Sequence, residues 1–363
     1  MENEFLNAEL RKSHLSFKGL FFTLMALFIV GAIATTLYIL SQRSLRIAFM
    51  SDRDGDNEIY VMEMDGSGVV NITNNEAQDG LPGWSERKRS IAFLSTREST
   101  SAAIYRMNLY GKRLKALVTN MPIIATFPAW SPDGKWIAFD SGLAGQSDIY
   151  LINVKTGEVR NLTDHPSADR FYGWSPDSNQ VLFVSNRGDQ TVNNPAIYSI
   201  TLESSEMVRL TEPDSVNVLA SWSPDGKKIA FTSDRDGNAE IYIMDRDGKN
   251  VTRLTDNPKF EGFPIWSPDG KRIAYISIDE VTEEGNPEIY VMNSDGSDQR
   301  NLSNHPMQDG LEWEFSWSPD GSKILFTTDR DGNLEIYVMD ADGGNPTNLT
   351  NHPANDSAPA WIK

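Results

Sequence analysis

The sequence predicts an all-β protein, a seven-bladed β-propeller that is closed by its C-terminal strand and preceded by one transmembrane helix. A tripeptide of the "IAF" type recurs seven times and is followed each time by an Ile-Tyr pair. Each unit ends on a tryptophan, and successive tryptophans are 44 to 51 residues apart, the period of a blade made of four short strands. Residues 19–40 form a stretch of 22 residues without a charge, long enough to cross a bilayer as a helix.

The chain begins with a short tail, residues 1–18, followed by the apolar stretch from Gly19 to Leu40 and a linker, residues 41–46. We expect the stretch to be an uncleaved signal-anchor helix, because its apolar run continues to Leu40. The alternative is a signal peptide cleaved after Ala34, since "AIA" at 32–34 has the small residues that signal peptidase accepts. A single N-terminal anchor before a large domain predicts a single-pass protein of the cell membrane with its domain on the extracytoplasmic side. The Lys and Arg residues that flank the stretch are balanced and do not decide this orientation.

Local sequence predicts the strands and turns of the propeller, residues 47–363. Segments such as "KKIAFTS" (227–233) and "EIYIMD" (240–245) are rich in β-branched and aromatic residues, which predicts neighbouring strands. "SPDG" follows four of the tryptophans, and its Pro and Gly fit a tight turn. The copies "SERK" at Ser85 and "SPDS" at Ser175 lack this pattern, so we expect them to turn less tightly.

The two ends of the chain each hold part of one blade. The first repeat opens directly at Ile47, and the chain ends on "PAWIK" (359–363), so the C-terminal segment would supply the inner strand of the blade that the N-terminal segment begins. Such closure removes free sheet edges. The chain enters the ring on the face of the "SPDG" turns. We therefore expect that face to lie toward the membrane and the opposite face, with the "SDRDG" loops, to be available to partners.

The repeat pattern "PxWSPDGKxIAFxSxxxGxxEIYxMxxDGxxxxxLT" resembles the TolB-type propeller repeat, a relative of the WD repeat, over residues 47–363. The resemblance implies a bacterial protein of the periplasm or cell envelope that binds other proteins. TolB-type proteins have six blades and a further N-terminal domain, so their partners are not transferred to this chain.

Composition narrows the function classes. A net charge of −18 would repel phosphate backbones, so no nucleic-acid partner is expected. The absence of cysteine excludes disulfides, thiol nucleophiles and thiolate metal sites. The chain has no GxSxG, HExxH or phosphate-loop motif, so we predict that it is not an enzyme, with a metal-dependent, lyase-like activity left open. We expect the propeller to be monomeric.

Two functions are compatible with the sequence. The favoured one is a protein-protein interaction scaffold that binds at the mouth of the channel, and the alternative is a propeller that binds or processes a small ligand or saccharide with a divalent cation there. Carboxylates beside exposed rings would suit a basic or amphipathic peptide. In a competing interpretation the acids solvate loops and the rings pack between blades. The candidate binding residues are Asp79, Asp169, Glu261, Asp309, Asp356, Phe171, Tyr172, Phe263 and Trp313.

The "SDRDG" loops offer candidate calcium ligands, and no other cofactor is predicted. The ligands would be Asp52, Asp54, Asp234, Asp236, Asp329 and Asp331. Oxygen ligands at alternate positions suit calcium, but the glycine and glutamate positions of an EF-hand are not matched. The alternative interpretation is a hairpin turn. A second candidate is the group His165, His305 and His352, whose shared repeat position fits either a metal site or a repeat consensus.

Overall fold

The computed structural model describes residues 45–98, 101–124, 127–143, 146–188, 194–279, 286–304 and 314–363. Across these ranges, 28 strands form seven four-stranded sheets, which confirms the predicted all-β propeller of seven blades. Among the same residues no helix is both long and apolar enough to cross a membrane. The predicted transmembrane helix at 19–40 and the tail at 1–18 lie outside the described residues.

Each blade runs from an innermost strand to an outermost one. The innermost strands are β4 (Asp79–Ser85), β8 (Ala129–Trp130), β12 (Asp169–Trp174), β16 (Asn217–Trp222), β20 (Phe260–Trp266), β24 (Phe315–Trp317) and β28 (Asp356–Ile362). The second strands are β1 (Arg46–Ser51), β5 (Ser90–Ser95), β9 (Trp136–Leu143), β13 (Gln180–Ser185), β17 (Lys228–Ser233), β21 (Arg272–Ile278) and β25 (Lys323–Thr328).

The two outer ranks complete the sheets. The third strands are β2 (Glu58–Glu63), β6 (Ala103–Met107), β10 (Gln146–Asn153), β14 (Ala196–Thr201), β18 (Glu240–Asp245), β22 (Pro287–Asn293) and β26 (Glu335–Asp340). The outermost strands are β3 (Val70–Asn71), β7 (Lys115–Val118), β11 (Val159–Asn161), β15 (Met207–Arg209), β19 (Thr252–Arg253), β23 (Arg300–Asn301) and β27 (Thr347–Asn348). Short outermost strands leave little free edge for pairing with another chain.

The turns after the tryptophans mostly behave as the sequence predicts. In the SPDG turns the glycine donates its N–H to the serine carbonyl, as between Gly226 and Ser223 at 2.9 Å, and the glycine has a positive φ. The SPDS turn was expected to be looser, and this prediction is wrong. Ser178 takes the same left-handed conformation and donates to Ser175 at 2.8 Å, so a serine can replace the glycine.

Hydrophobic clusters between neighbouring sheets form the core. The second and third strands contribute buried aliphatic and aromatic side chains, mainly Ile, Phe and Tyr, that pack against the neighbouring blade. One cluster contains Ile47 and Phe49 of the first blade together with Leu325 and Ile336 of the seventh. Burial of this apolar surface drives the first and last blades together.

The C-terminal strand closes the ring. β28 pairs with β1 in one sheet, in the order β28-β1-β2-β3, as the chain ends predict. Near this pairing, Asn355 donates its N–H to the Asp52 carboxylate at 2.8 Å. The turns between third and fourth strands, which we call the outer turns, add contacts between blades. A Cβ atom at Gly66 would stand 2.5 Å from the Leu349 carbonyl oxygen of the seventh blade. Glycine is required there for both this approach and its φ of +82°.

Candidate functional site

The antiparallel blades give the ring two faces. The loop face carries the loops between second and third strands and the interblade loops that follow each outermost strand. The turn face carries the turns between first and second strands and those between third and fourth strands. Four described acids among the predicted binding residues, Asp79, Asp169, Glu261 and Asp356, lie at the loop-face ends of innermost strands.

Five arginines of the loop face occupy equivalent places, two residues after the second strand. Each guanidinium lies over a phenylalanine of the second strand and a tyrosine of the third, with 4.8 to 5.8 Å between its central carbon and the ring centroids. These arginines are Arg53, Arg97, Arg187, Arg235 and Arg330. The aromatic platform holds the guanidinium in one orientation through cation-π attraction.

Three of these arginines bind the carboxylate at the start of the innermost strand in their own blade. Arg97 Nη2 lies 2.7 Å from Asp79 Oδ2, and Arg187 pairs with Asp169 in the same way. Arg53 reaches both oxygens of Asp356, at 2.9 and 3.0 Å. The three carboxylates are fully buried, so each pair fixes a loop to the innermost strand.

The structure corrects the expectation that the carboxylates of the channel mouth are displayed to a partner. Asp79, Asp169 and Asp356 are 0% exposed and Glu261 is 1% exposed. They are inaccessible because the loop above covers them, and each carboxylate has an arginine or polar side chain bound to it. One oxygen of each of Asp79, Asp169 and Glu261 is buried without a hydrogen-bond partner among the described residues. Asp309 and Trp313 lie outside the described residues.

Glu261 differs because its blade has no arginine at the equivalent place, two residues after the serine of the second strand, where Asp279 stands instead. Its carboxylate accepts hydrogen bonds from Asn257 Nδ2 at 2.8 Å and from Ser277 Oγ at 3.0 Å. Burial raises the pKa of Glu261 to about 7. The pKa of Asp140 in β9 is also raised to about 7 by burial, although its carboxylate accepts the N–H of Phe171 at 3.1 Å.

The aromatic candidates pack within and between blades, as the competing interpretation expected. Phe171 meets Trp174 edge to face with 6.1 Å between ring centroids. Tyr172 packs against the buried cluster that joins β13 to the next blade, and Phe263 packs against the cluster between the sixth and seventh blades. All three rings are half-buried, so part of each side chain remains accessible.

The "SDRDG" loops have the geometry of the turn interpretation. Gly237 donates its N–H to the Asp234 carbonyl at 2.9 Å, and the loops at Asp52 and Asp329 close in the same way. Their second aspartates, Asp54, Asp236 and Asp331, accept a hydrogen bond from a tyrosine hydroxyl. The carboxylates thus turn to separate partners. Within the described ranges, no group of three or more His, Asp or Glu residues is placed to hold a metal ion.

The two described histidines of the repeat act in the same local way. Nδ1 of His165 accepts the N–H of Ser167 at 3.1 Å, and Nδ1 of His352 accepts the N–H of Ala354 at 3.1 Å. This shared contact agrees with a repeat consensus. His305 lies outside the described residues.

Acids that the sequence reasoning did not single out are exposed on the loop face. They lie in the interblade loops and are Glu76, Asp164, Glu212, Asp214 and Asp256. Glu212 and Asp256 pair with Arg209 and Arg253. No ion pair joins Glu76, Asp164 or Asp214 to another described residue. Their sequence position could have identified them. It lies between the "LT" pair and the buried acid, in a segment without the alternating pattern of a strand.

Comparison with known proteins identifies the type of propeller. Residues 189–281 and 259–363 match the TolB beta propeller domain, and residues 102–208 match the Tricorn protease N-terminal beta propeller domain. The chain is 33% identical over 118 residues to the Tol-Pal system protein TolB of Desulfosudis oleivorans, which covers 32% of this chain and 26% of that protein. It spans 25% to 45% of the length of the curated relatives it matches.

Solved structures share the fold. TolB from Acinetobacter baumannii has a TM-score of 0.56 at 22% identity, over 88% of this chain and 82% of that one. An oligogalacturonate lyase from Vibrio parahaemolyticus has a TM-score of 0.66 at 16% identity, over 81% of this chain and 85% of that one. Because these two proteins differ in function, the shared fold alone does not select one.

Proposed function

We propose that this chain, which contains TolB-like β-propeller domains, is a membrane-tethered scaffold that binds a basic protein segment on its loop face. The observation that carries the proposal is the set of exposed interblade carboxylates, of which Glu76, Asp164 and Asp214 have no ion-pair partner among the described residues. The role of the TolB relative in a Tol-Pal system supports a place in a protein assembly of the bacterial cell envelope.

Physical properties of the loop face support this role. Exposed carboxylates on one face steer a cationic partner toward that face and raise the association rate. The arginine pairs hold the loops in place before binding, so little ordering entropy is lost when a partner arrives. The half-buried rings of Phe171 and Phe263 offer apolar contact to such a partner.

The tether is proposed from the apolar stretch between Gly19 and Leu40, with the propeller on the extracytoplasmic side. In cells that express the full chain, the protein should remain in the membrane after washing with alkaline carbonate. External protease should digest the propeller in cells whose cell wall or outer membrane has been removed. Release by carbonate would contradict the tether, and protection of the propeller would contradict its orientation.

Binding can be tested with the full chain and a labelled peptide of alternating Lys and Trp, measured by fluorescence anisotropy. The triple variant Glu76→Lys, Asp164→Lys, Asp214→Lys should bind at least about tenfold more weakly, equivalent to about 1.4 kcal/mol. A matched control makes the same charge change at exposed acids of the turn face. It consists of Glu158→Lys, Glu203→Lys and Glu206→Lys.

Equal losses in the triple variant and its control would show that only net charge matters, and the proposed surface would be wrong. Tight stoichiometric binding of calcium, manganese or zinc by the purified chain, together with unchanged peptide affinity in the triple variant, would favour a cation-dependent ligand site instead.

A further inference from the structure

The turn face of the second blade carries a cluster of basic side chains that the proposed function does not use. The segments 85–90 and 106–115 contain seven cations and one acid, Glu86. The cations are Arg87, Lys88, Arg89, Arg106, Lys112, Arg113 and Lys115, and all except the half-buried Arg106 are exposed. The rest of the chain is strongly acidic, since the whole has a net charge of −18.

These side chains surround a cleft of about 480 Å³, which we call the basic cleft. Lys88, Arg89, Arg106 and Arg113 line it together with Tyr110. Three of the four cations are arginines, whose planar guanidinium groups bind phosphate oxygens in pairs. The cleft therefore has the shape and the donors to receive an anionic headgroup.

Equivalent positions in other blades are acidic. The position of Tyr110, just before the glycine of the turn between third and fourth strands, holds an aspartate in four other blades. These aspartates are Asp65, Asp247, Asp295 and Asp342. The third position of the turn between first and second strands is also an aspartate in five blades, namely Asp133, Asp177, Asp225, Asp269 and Asp320. The second blade lacks an acid at both positions, where it has Tyr110 and Arg87.

The basic side chains also lack counter-charges. Elsewhere on the turn face, Lys135, Lys228 and Lys323 each lie within 3.0 Å of a carboxylate oxygen. Within the described part of the chain, no ion pair involves any cation of the cluster. An external anion would therefore not have to displace an internal partner.

Apolar side chains stand beside the cluster on the outer turn of the same blade. Tyr110 is 69% exposed and Leu114 is 45% exposed. Tyrosine is favoured at the level of lipid headgroups, and leucine with Lys and Arg beside it is typical of surfaces that lie on a bilayer. A soluble anion would leave these two side chains in water.

The route of the chain gives a further reason to choose a lipid surface. β1 begins at Arg46 on the turn face, in the blade next to the basic cleft. We propose that the basic cleft docks on the anionic phospholipid headgroups of the membrane to which the chain is tethered. The choice of a membrane over a soluble anion rests in part on the tether of the proposed function.

The absence of cysteine allows a site-specific probe in the full chain. An environment-sensitive fluorophore is attached to a single Tyr110→Cys variant, and the chain is reconstituted into vesicles of phosphatidylcholine with or without phosphatidylglycerol. We expect a blue shift only in the anionic vesicles, with weakening in high salt because added ions screen the contact. Combining the probe with Arg89→Glu and Arg113→Glu should abolish the shift. The matched control, Asp295→Cys in the sixth blade, should give the same emission in both kinds of vesicle.

Equal emission at Tyr110→Cys in both kinds of vesicle would overturn the proposal, as would a shift that survives the two charge reversals. The same blue shift with inorganic phosphate or an acidic peptide in neutral vesicles would assign the cleft to a soluble anion and also overturn it. Failure of the proposed tether would give a different result. The chain would then co-float with anionic vesicles but not with neutral ones, and Arg89→Glu with Arg113→Glu would abolish this co-flotation. Such a result would support the basic cleft while contradicting the tether.

Discussion

The arginine that closes the ring gives the most direct test of the structure. Arg53 of the first blade binds Asp356 of the C-terminal strand at 2.9 Å, although the two residues are 303 positions apart. Arg97 makes the corresponding ion pair in the second blade, to one oxygen of Asp79, which is only 18 positions away. The perturbations are Arg53→Met and Arg97→Met, which remove the charge and keep much of the side-chain length.

Both substitutions should be strongly destabilising. Each leaves a carboxylate with 0% side-chain exposure, while the arginine itself is only 14% or 17% exposed. Removing one partner of a buried ion pair costs about 3–5 kcal/mol, because the other charge stays buried without compensation. A whole domain has about 5–15 kcal/mol of stability, so each loss should shift the unfolding midpoint clearly.

The two variants should differ in where the protein opens. We expect Arg53→Met to raise amide hydrogen exchange in β28 and β1, since it breaks the closure, whereas Arg97→Met should affect β4 and β5. The assay is urea unfolding followed by tryptophan fluorescence, combined with hydrogen exchange. Adding Asp356→Asn to Arg53→Met should recover about 1–3 kcal/mol relative to additivity, because no buried charge is then left. Losses below about 1 kcal/mol, or the same exchange pattern in both variants, would refute the reasoning.

Three further predictions concern pH, an outer turn and an interblade hydrogen bond. Burial raises the pKa of Glu261 to about 7. The unfolded chain therefore binds fewer protons than the native one between about pH 4.5 and 7, so stability falls as pH rises through this window; Glu261→Gln should lose less stability than the parent between pH 5 and 8 in urea unfolding. Gly248→Ala should lose about 2–4 kcal/mol, because its φ is +83° and its new Cβ would stand 2.7 Å from a carbonyl of the neighbouring blade; Gly237→Ala has a positive φ but open space, and an equal loss in thermal unfolding would contradict the contact. Trp130→Phe should be about 1 kcal/mol more destabilising than Trp222→Phe, since the Trp130 indole N–H donates to the Gly83 carbonyl of the neighbouring blade at 3.1 Å, whereas that of Trp222 is buried without a partner among the described residues. Equal unfolding midpoints would argue against this bond.

Much of the fold could be predicted because each sequence repeat contains the strands and turns of about one blade. The "IAF" and "IY" strands pair in register, as Phe231 does with Tyr242, and the tryptophan strands lie innermost. The candidate site was harder to predict. The sequence does not show whether an aspartate at the start of an innermost strand is exposed to water or paired with an arginine. In addition, Arg53, the partner of Asp356, lies at the other end of the chain.

The sequence by itself determined the number of blades, the all-β class and the closure of the ring, because periodicity and turn residues act over a few positions. Only the tertiary structure decided which carboxylates are accessible. Burial depends on the loop that folds over a side chain, and this removed Asp79, Asp169 and Asp356 from the surface while leaving Glu76, Asp164 and Asp214 exposed. The basic cleft likewise exists only because two turns separated in sequence meet on one edge of the second blade. The charge of a surface depends on which segments lie next to each other in the folded chain, and the local sequence pattern does not encode this.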